Sequence, residues 1–202
     1  MLSMYTTRDR LKRVIKEGSI MRSVAVFLGA KDVQNPAYKG AAVELGKALA
    51  RREITLVYGG SNTGLMRTLA DAVLAENGKV IGVSVDALAE HEAPHQHLTE
   101  LHITADMHER KSKMAELAQG FISMAGGIGT LEELFEVYTW ARLGFHQKPV
   151  ALLNTNHYFD SLLKFLDHAN LEGFIDHKAR HQIIVDQDPS NLLNKMVQST
   201  QR

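Results

Sequence analysis

The sequence predicts an α/β fold: one domain with a mainly parallel sheet of about seven strands and helices on both faces. Three observations predict it. Short β-rich runs alternate with stretches of helical periodicity. Several of the runs are apolar along most of their length, as strands covered on both faces require. Two glycine-rich turns each follow a strand run and open a helical one.

Taken in order, residues 1–20 come first. Arg8, Arg10, Lys12, Arg13 and Lys16 alternate there with Leu11, Val14 and Ile15. This predicts a short amphipathic helical extension ahead of a domain over 21–202. Asp9 and Glu17 dilute its charge, which favours docking on the body over membrane or nucleic-acid contact. Strands are expected at Val24–Leu28, Ile54–Tyr58, Val80–Val85, Glu100–Ile103, Phe121–Met124, Val150–Leu153 and Ile183–Val185. Asn35-Pro36 supplies an N-cap and a first-turn proline before a helix over Tyr38–Arg51, and Asp188-Pro189 does the same for the last helix. Gly78 is expected to close a helix running from about Gly64 to Glu76. Asp106 with Glu109, and Thr130 with Glu133, have capping-box spacing. Residues 86–99 show no clear period and read as a loop.

Composition narrows the function classes. The chain has 202 residues, with 23 Lys+Arg against 23 Asp+Glu, so its net charge implies no polyanion-binding surface. No nucleic-acid partner is expected. Apolar residues make up 45%, which excludes a disordered chain. The absence of cysteine excludes disulfides, thiolate metal sites and a cysteine nucleophile, and it fits a reducing cytoplasm. No run approaches the roughly 18 apolar residues of a spanning helix, and the N-terminus lacks a secretory pattern.

In an open parallel sheet, ligands bind outside the carboxyl ends of the strands. Both glycine-rich turns fall there: Gly59-Gly60-Ser61-Asn62-Thr63-Gly64 and Gly126-Gly127-Ile128-Gly129-Thr130. Glycine lets the backbone approach a ligand, and the helix that follows offers unpaired N–H groups at a positive dipole end. That combination suits phosphate. Leu65-Met66 stands where a P-loop needs Lys and Ser/Thr, and neither turn has Gly-x-Gly-x-x-Gly spacing. The remaining expectation is a small phosphate-bearing ligand such as a mononucleotide.

Met107-His108-Glu109-Arg110-Lys111 and Gly126-Gly127-Ile128-Gly129-Thr130-Leu131-Glu132-Glu133 then become specific. They resemble the paired signatures M-H-x-R-K and P-G-G-x-G-T-x-x-E of the LOG family, nucleoside 5′-monophosphate phosphoribohydrolases that activate cytokinins. Val24–Gly29, Leu56–Met66 and Phe145–Tyr158 resemble further family segments, and the likeness spans roughly 23–175. The resemblance implies a Rossmann-like fold, a homodimer, no cofactor, and hydrolysis of the N-glycosidic bond to a free base and ribose 5-phosphate. It implies Arg110 and Glu133 as the catalytic pair. It implies Gly29, Gly59, Gly60, Ser61, Gly64, Met107, Lys111, Gly126, Gly127, Gly129 and Thr130 as substrate- and phosphate-binding positions. Related folds include a molybdenum-cofactor carrier, which is the alternative. A lysine decarboxylase label, sometimes carried by such sequences, needs a pyridoxal phosphate lysine, and the sequence offers no supporting constellation, only common lysines such as Lys111 and Lys148.

Read without the resemblance, Glu133 satisfies a helix start and Arg110 is a solvated helix residue. His108 either enters the site or caps its helix. The chain departs from the family pattern at Ala125 for proline, Ser61 and Arg67 for glycines, and Ala30 for a small polar residue. Leu131, Leu134, Tyr138 and Ala141 form one stripe with Phe135 and Trp140 alongside, read either as core or as a dimer face. His91, His95, His97 and His102 gather around the irregular loop in a spacing that matches no metal motif.

Overall fold

The computed structural model describes residues 21–86 and 94–201. The expected helical extension over 1–20, and most of the expected loop after Asp86 with His91, lie outside the described residues. Seven strands form one sheet: β1 (Ser23–Phe27), β2 (Thr55–Tyr58), β3 (Val80–Val85), β4 (Glu100–Thr104), β5 (Phe121–Ser123), β6 (Val150–Leu153) and β7 (Ile183–Asp186). Their order is β4-β3-β2-β1-β5-β6-β7, and each neighbouring pair is parallel. All seven expected strands are present, and no end is shifted by more than one residue.

Alternation along β1 builds two cores. Val24 and Val26 face one way, into a cluster with Ala42, Leu45 and Leu49 of α1 (Pro36–Arg51), Leu65, Leu69 and Val73 of α2 (Gly64–Ala75), and Leu192, Leu193 and Met196 of α7 (Pro189–Ser199). Ala25 and Phe27 face the other way. They meet Met114 of α3 (Met107–Leu117), Leu134, Val137 and Tyr138 of α4 (Ile128–Arg142), and Leu166 of α5 (Asp160–Leu171). A four-residue helix, α6 (His177–Arg180), precedes β7. The α4 stripe divides accordingly: Leu134 and Tyr138 are buried, while Leu131, Phe135, Trp140 and Ala141 pack against that core partly exposed.

The caps follow the sequence at three helices. Asn35 Oδ1 accepts from Ala37 N at 3.0 Å, Asp188 Oδ1 from Asn191 N at 2.8 Å, and Asp106 Oδ1 from His108 N and Glu109 N at 2.8 Å. Glu109 Oε2 completes the last cap by accepting from Ala105 N at 2.8 Å. At the end of α2 the left-handed residue is Asn77 (φ 59), not Gly78. Gly78 is needed for space, because a Cβ there would lie 2.6 Å from Val73 Cγ1 and 2.8 Å from Ala50 Cβ. Among the described residues, no helix is long and apolar enough to cross a membrane.

Candidate active site

The strand order reverses between β2 and β5 on either side of β1, and there the loops after neighbouring strands diverge. A cleft of about 560 Å³ opens at this point. Its walls come from the β1–α1 loop, the two glycine-rich turns, the start of α3 and Tyr158.

The two loops that flank the reversal touch. Gly29 N donates to Ala125 O at 3.1 Å, and a Cβ on Gly126 would lie 2.8 Å from Gly29 N and 2.7 Å from Thr130 Cβ. Gly126 therefore has to be glycine for the loops to close. Gly127 caps α4 with no side chain, and the first turn of α4 holds no acidic residue. The N–H groups of Gly127, Ile128, Gly129 and Thr130 donate to no backbone carbonyl among the described residues. Four unpaired donors at a helix start, with no acidic residue in the first turn, suit an anion.

Arg110 is 7% exposed and Glu133 faces it from α4. Arg110 Nε donates to Val83 O at 3.0 Å, which fixes the guanidinium plane, and Nη1 donates to Glu133 Oε1 at 3.1 Å. Burial pushes the Glu133 carboxyl above the ordinary glutamate value, and the Arg110 charge and hydrogen bond oppose that without cancelling it. The expected Thr130–Glu133 capping box does not form. The helix starts at Ile128 with Gly127 as its cap, so Thr130 lies inside the first turn and Glu133 turns to Arg110 instead.

The other expected positions separate. Gly29, Gly59, Met107, Gly126, Gly127, Gly129 and Thr130 line the cleft. Lys111 does not; its Nζ is held between Glu132 and Glu136. Gly60, Ser61 and Gly64 also lie off the cleft lining and shape the turn. Ser61 is 2% exposed and its hydroxyl bonds Thr63 Oγ1 at 2.8 Å, while Gly60 (φ 78) and Gly64 (φ 53) take left-handed backbone. Arg67 and His108 point to solvent. His95 Nε2 meets Asp71 Oδ1 at 2.9 Å and His102 Nε2 meets Glu100 Oε2 at 3.3 Å. No group of three or more potential metal ligands occurs among the described residues.

Lys31, Val33, Tyr38, Met66, Met114 and Tyr158 line the cleft without having been singled out from sequence. Their signals were those of ordinary core and surface residues. Only the cleft gathers them.

A family profile described as "possible lysine decarboxylase" matches residues 66–196. The chain is 49% identical over 168 residues to the cytokinin riboside 5′-monophosphate phosphoribohydrolase of Rhodococcoides fascians, covering 83% of this chain and 85% of that one. It is 45% identical over 178 residues to an Arabidopsis thaliana protein of the same name, covering 88% and 84%. The chain belongs to the LOG family. The α/β fold of this LOG protein is also that of solved structures more distant in sequence. The molybdenum cofactor binding protein of Rippkaea orientalis is 22% identical at a TM-score of 0.65, over 90% of this chain and 98% of that one. A molybdenum cofactor carrier protein from Chlamydomonas reinhardtii is 20% identical at 0.66, over 90% and 99%. At that distance the likeness is one of fold.

The decarboxylase in the profile's description would require pyridoxal phosphate as a Schiff base on a lysine. Neither Lys111 nor Lys148 of this LOG chain fits. Burial alone would lower the Lys111 pKa, but the two carboxylates outweigh it and hold it above the ordinary lysine value. Lys148 precedes β6, at the amino edge of the sheet away from the cleft, and its Nζ donates to Ala115 O at 2.7 Å.

Proposed function

We propose that this protein hydrolyses the N-glycosidic bond of nucleoside 5′-monophosphates, AMP or N6-substituted AMP of the cytokinin class. The products are a free base and ribose 5-phosphate. One observation carries the reading: the buried Arg110–Glu133 pair shares a cleft with the unpaired N–H groups at the start of α4. The 5′-phosphate docks on Gly127, Gly129 and Thr130, which places the ribose toward Glu133. Lys31 is the cleft-lining lysine and makes no ion pair among the described residues, so it adds charge at the rim. The apolar wall of Val33, Tyr38, Leu65, Met66 and Met114 suits a base with an apolar substituent.

Breaking C1′–N builds positive charge on the ribose ring, and the bond's electron pair leaves with the base. The Glu133 carboxylate stabilises that cation and takes a proton from the attacking water. The water oxygen bonds C1′, and a proton ends on the base nitrogen. Arg110 holds Glu133 in place and favours its charged form against the effect of burial. No metal or redox step is needed to balance this reaction. The named relatives support the same activity. The reading extends to a homodimer, supported by exposed Leu143 and Phe145 just past the end of α4, and to a cytoplasmic setting, supported by the absence of cysteine. Light scattering at micromolar concentration tests the dimer.

The direct test is a product assay. Wild-type protein meets AMP, GMP, CMP, UMP, IMP and isopentenyl-AMP separately, with Glu133→Gln as control. Base and ribose 5-phosphate release that falls by about 10²–10⁴ in the variant supports the reading. Equal release by both proteins, or none from any nucleotide, sinks it.

A further inference from the structure

Tyr158 belongs to neither the catalytic pair nor a glycine turn. Its hydroxyl donates to the carbonyl of Gly126 at 2.6 Å. That carbonyl and the N–H of Gly127 belong to one peptide unit, and in a trans peptide the two point in opposite directions. Holding the carbonyl therefore fixes the direction of the Gly127 N–H, the first donor of the anion site. The peptide lies between two glycines, which tolerate either of its orientations. The preceding residue is Ala125, with no proline ring to stiffen the turn. Something else has to hold the peptide, and Tyr158 touches it.

The backbone is bent to bring Tyr158 there. Asn156 (φ 53) and His157 (φ 58) are consecutive left-handed residues, and neither is glycine. Such positions are strained and persist where the surroundings impose them. The surroundings are specific. Buried Asn154 donates through Nδ2 to Asp160 Oδ1 at 2.8 Å and accepts from Phe159 N at 2.7 Å. His157 Nδ1 meets Asp160 Oδ2 at 3.1 Å, and Gln187 Nε2 lies 3.3 Å from His157 Nε2. The Tyr158 ring meets Tyr38 edge-on at 5.7 Å and Phe159 at 5.1 Å.

We infer that Tyr158 is a positioning residue for the phosphate end of the substrate, locking the Gly126–Gly127 peptide in the orientation that presents the Gly127 N–H. The inference rests on the phosphoribohydrolase reading. Its function is pre-organisation: the donor is aimed before the ligand arrives, so binding does not have to order it. Tyr158 touches no reacting atom in this role.

Tyr158→Phe removes the hydroxyl and keeps the ring against Tyr38. The expected result is a KM for AMP raised roughly 5–20-fold, with kcat within about twofold of wild type. Inhibition by ribose 5-phosphate and by inorganic phosphate weakens by the same factor. Inhibition by the free base stays unchanged, which a general loosening of the cleft would not allow. Unchanged KM and phosphate inhibition overturn the inference, as does a fall in kcat at constant KM. Calorimetric AMP affinity is measured in parallel on Glu133→Gln and on the Glu133→Gln, Tyr158→Phe double variant. If wild type releases no base, the hydrolase reading fails. The lock then stands or falls on whether the double variant binds AMP more weakly than Glu133→Gln alone.

Discussion

Arg110 occupies the space that a side chain on residue 59 would fill: a Cβ on Gly59 would overlap Arg110 Nη2 and Met66 Cε. Gly59 ends the strand side of the first glycine turn, and it lines the cleft because Arg110 lies across it. The glycine is a seat for the Arg110 guanidinium. Gly59→Ala is expected to fold, since the obstructing atoms are side-chain ends that can move. Displacing Arg110 by an ångström misplaces Glu133, which costs about 10²-fold in kcat. Circular dichroism and the base-release assay together check both halves of that statement.

Glu133 links activity and stability with opposite signs. Its carboxyl is raised first by burial, so the native state holds the proton to higher pH than the unfolded chain does. The group therefore favours folding below the ordinary glutamate value, and that contribution is lost as pH rises through the raised value. Activity needs the carboxylate and rises over the same window. Across it, kcat/KM of wild type should climb while its melting temperature, relative to Glu133→Gln, declines. Parallel changes of the two quantities would contradict the assigned role.

Two glycines of α1 respond oppositely to alanine. A Cβ on Gly46 would lie 2.7 Å from Ala72 Cβ and 2.9 Å from Leu69 O, where α1 crosses α2. Alanine gains about 1 kcal/mol in helix propensity, but overpacking against backbone costs about 1–3 kcal/mol. Gly46→Ala is expected to destabilise. Gly40 has nothing within 4 Å of its Cβ position, so Gly40→Ala should stabilise by about 0.5–1 kcal/mol. Urea unfolding of the two variants reads the difference.

Lys31 and Lys111 should separate under salt. Lys31 lines the cleft, so Lys31→Ala raises KM for AMP about 3–10-fold at low ionic strength, and the difference shrinks as salt screens the rim. Lys111 serves Glu132 and Glu136 beside Glu133, so Lys111→Ala is expected to lower kcat and leave the salt dependence of KM intact. Initial rates at two salt concentrations distinguish them.

The strands were legible because an all-parallel sheet buries both faces, and the runs around Val24, Leu56, Val80 and Ile122 are apolar along most of their length. The meeting of Arg110 and Glu133 was legible through the motifs that carry them. Lys111 was not, because consecutive helical residues point about 100° apart. With Arg110 turned into the cleft, its neighbour has to face elsewhere. Glu133 was ambiguous because Thr130 and Glu133 keep the same spacing wherever the helix begins, and only Gly127 as cap decides it. Asn77 took the left-handed position expected of Gly78, since asparagine also tolerates that backbone. Tyr158 reached the site through two left-handed residues that no hydrophobic pattern encodes.

Ile128 opens α4 among its unpaired N–H groups and is 82% exposed, so it buries almost nothing. The chain has no cysteine. A single cysteine at position 128 would therefore be the one thiol in the molecule, reached without disturbing either core. An environment-sensitive dye attached there would stand at the mouth of the helix dipole. Its emission would report occupancy in real time, so ligand arrival could be followed apart from bond cleavage.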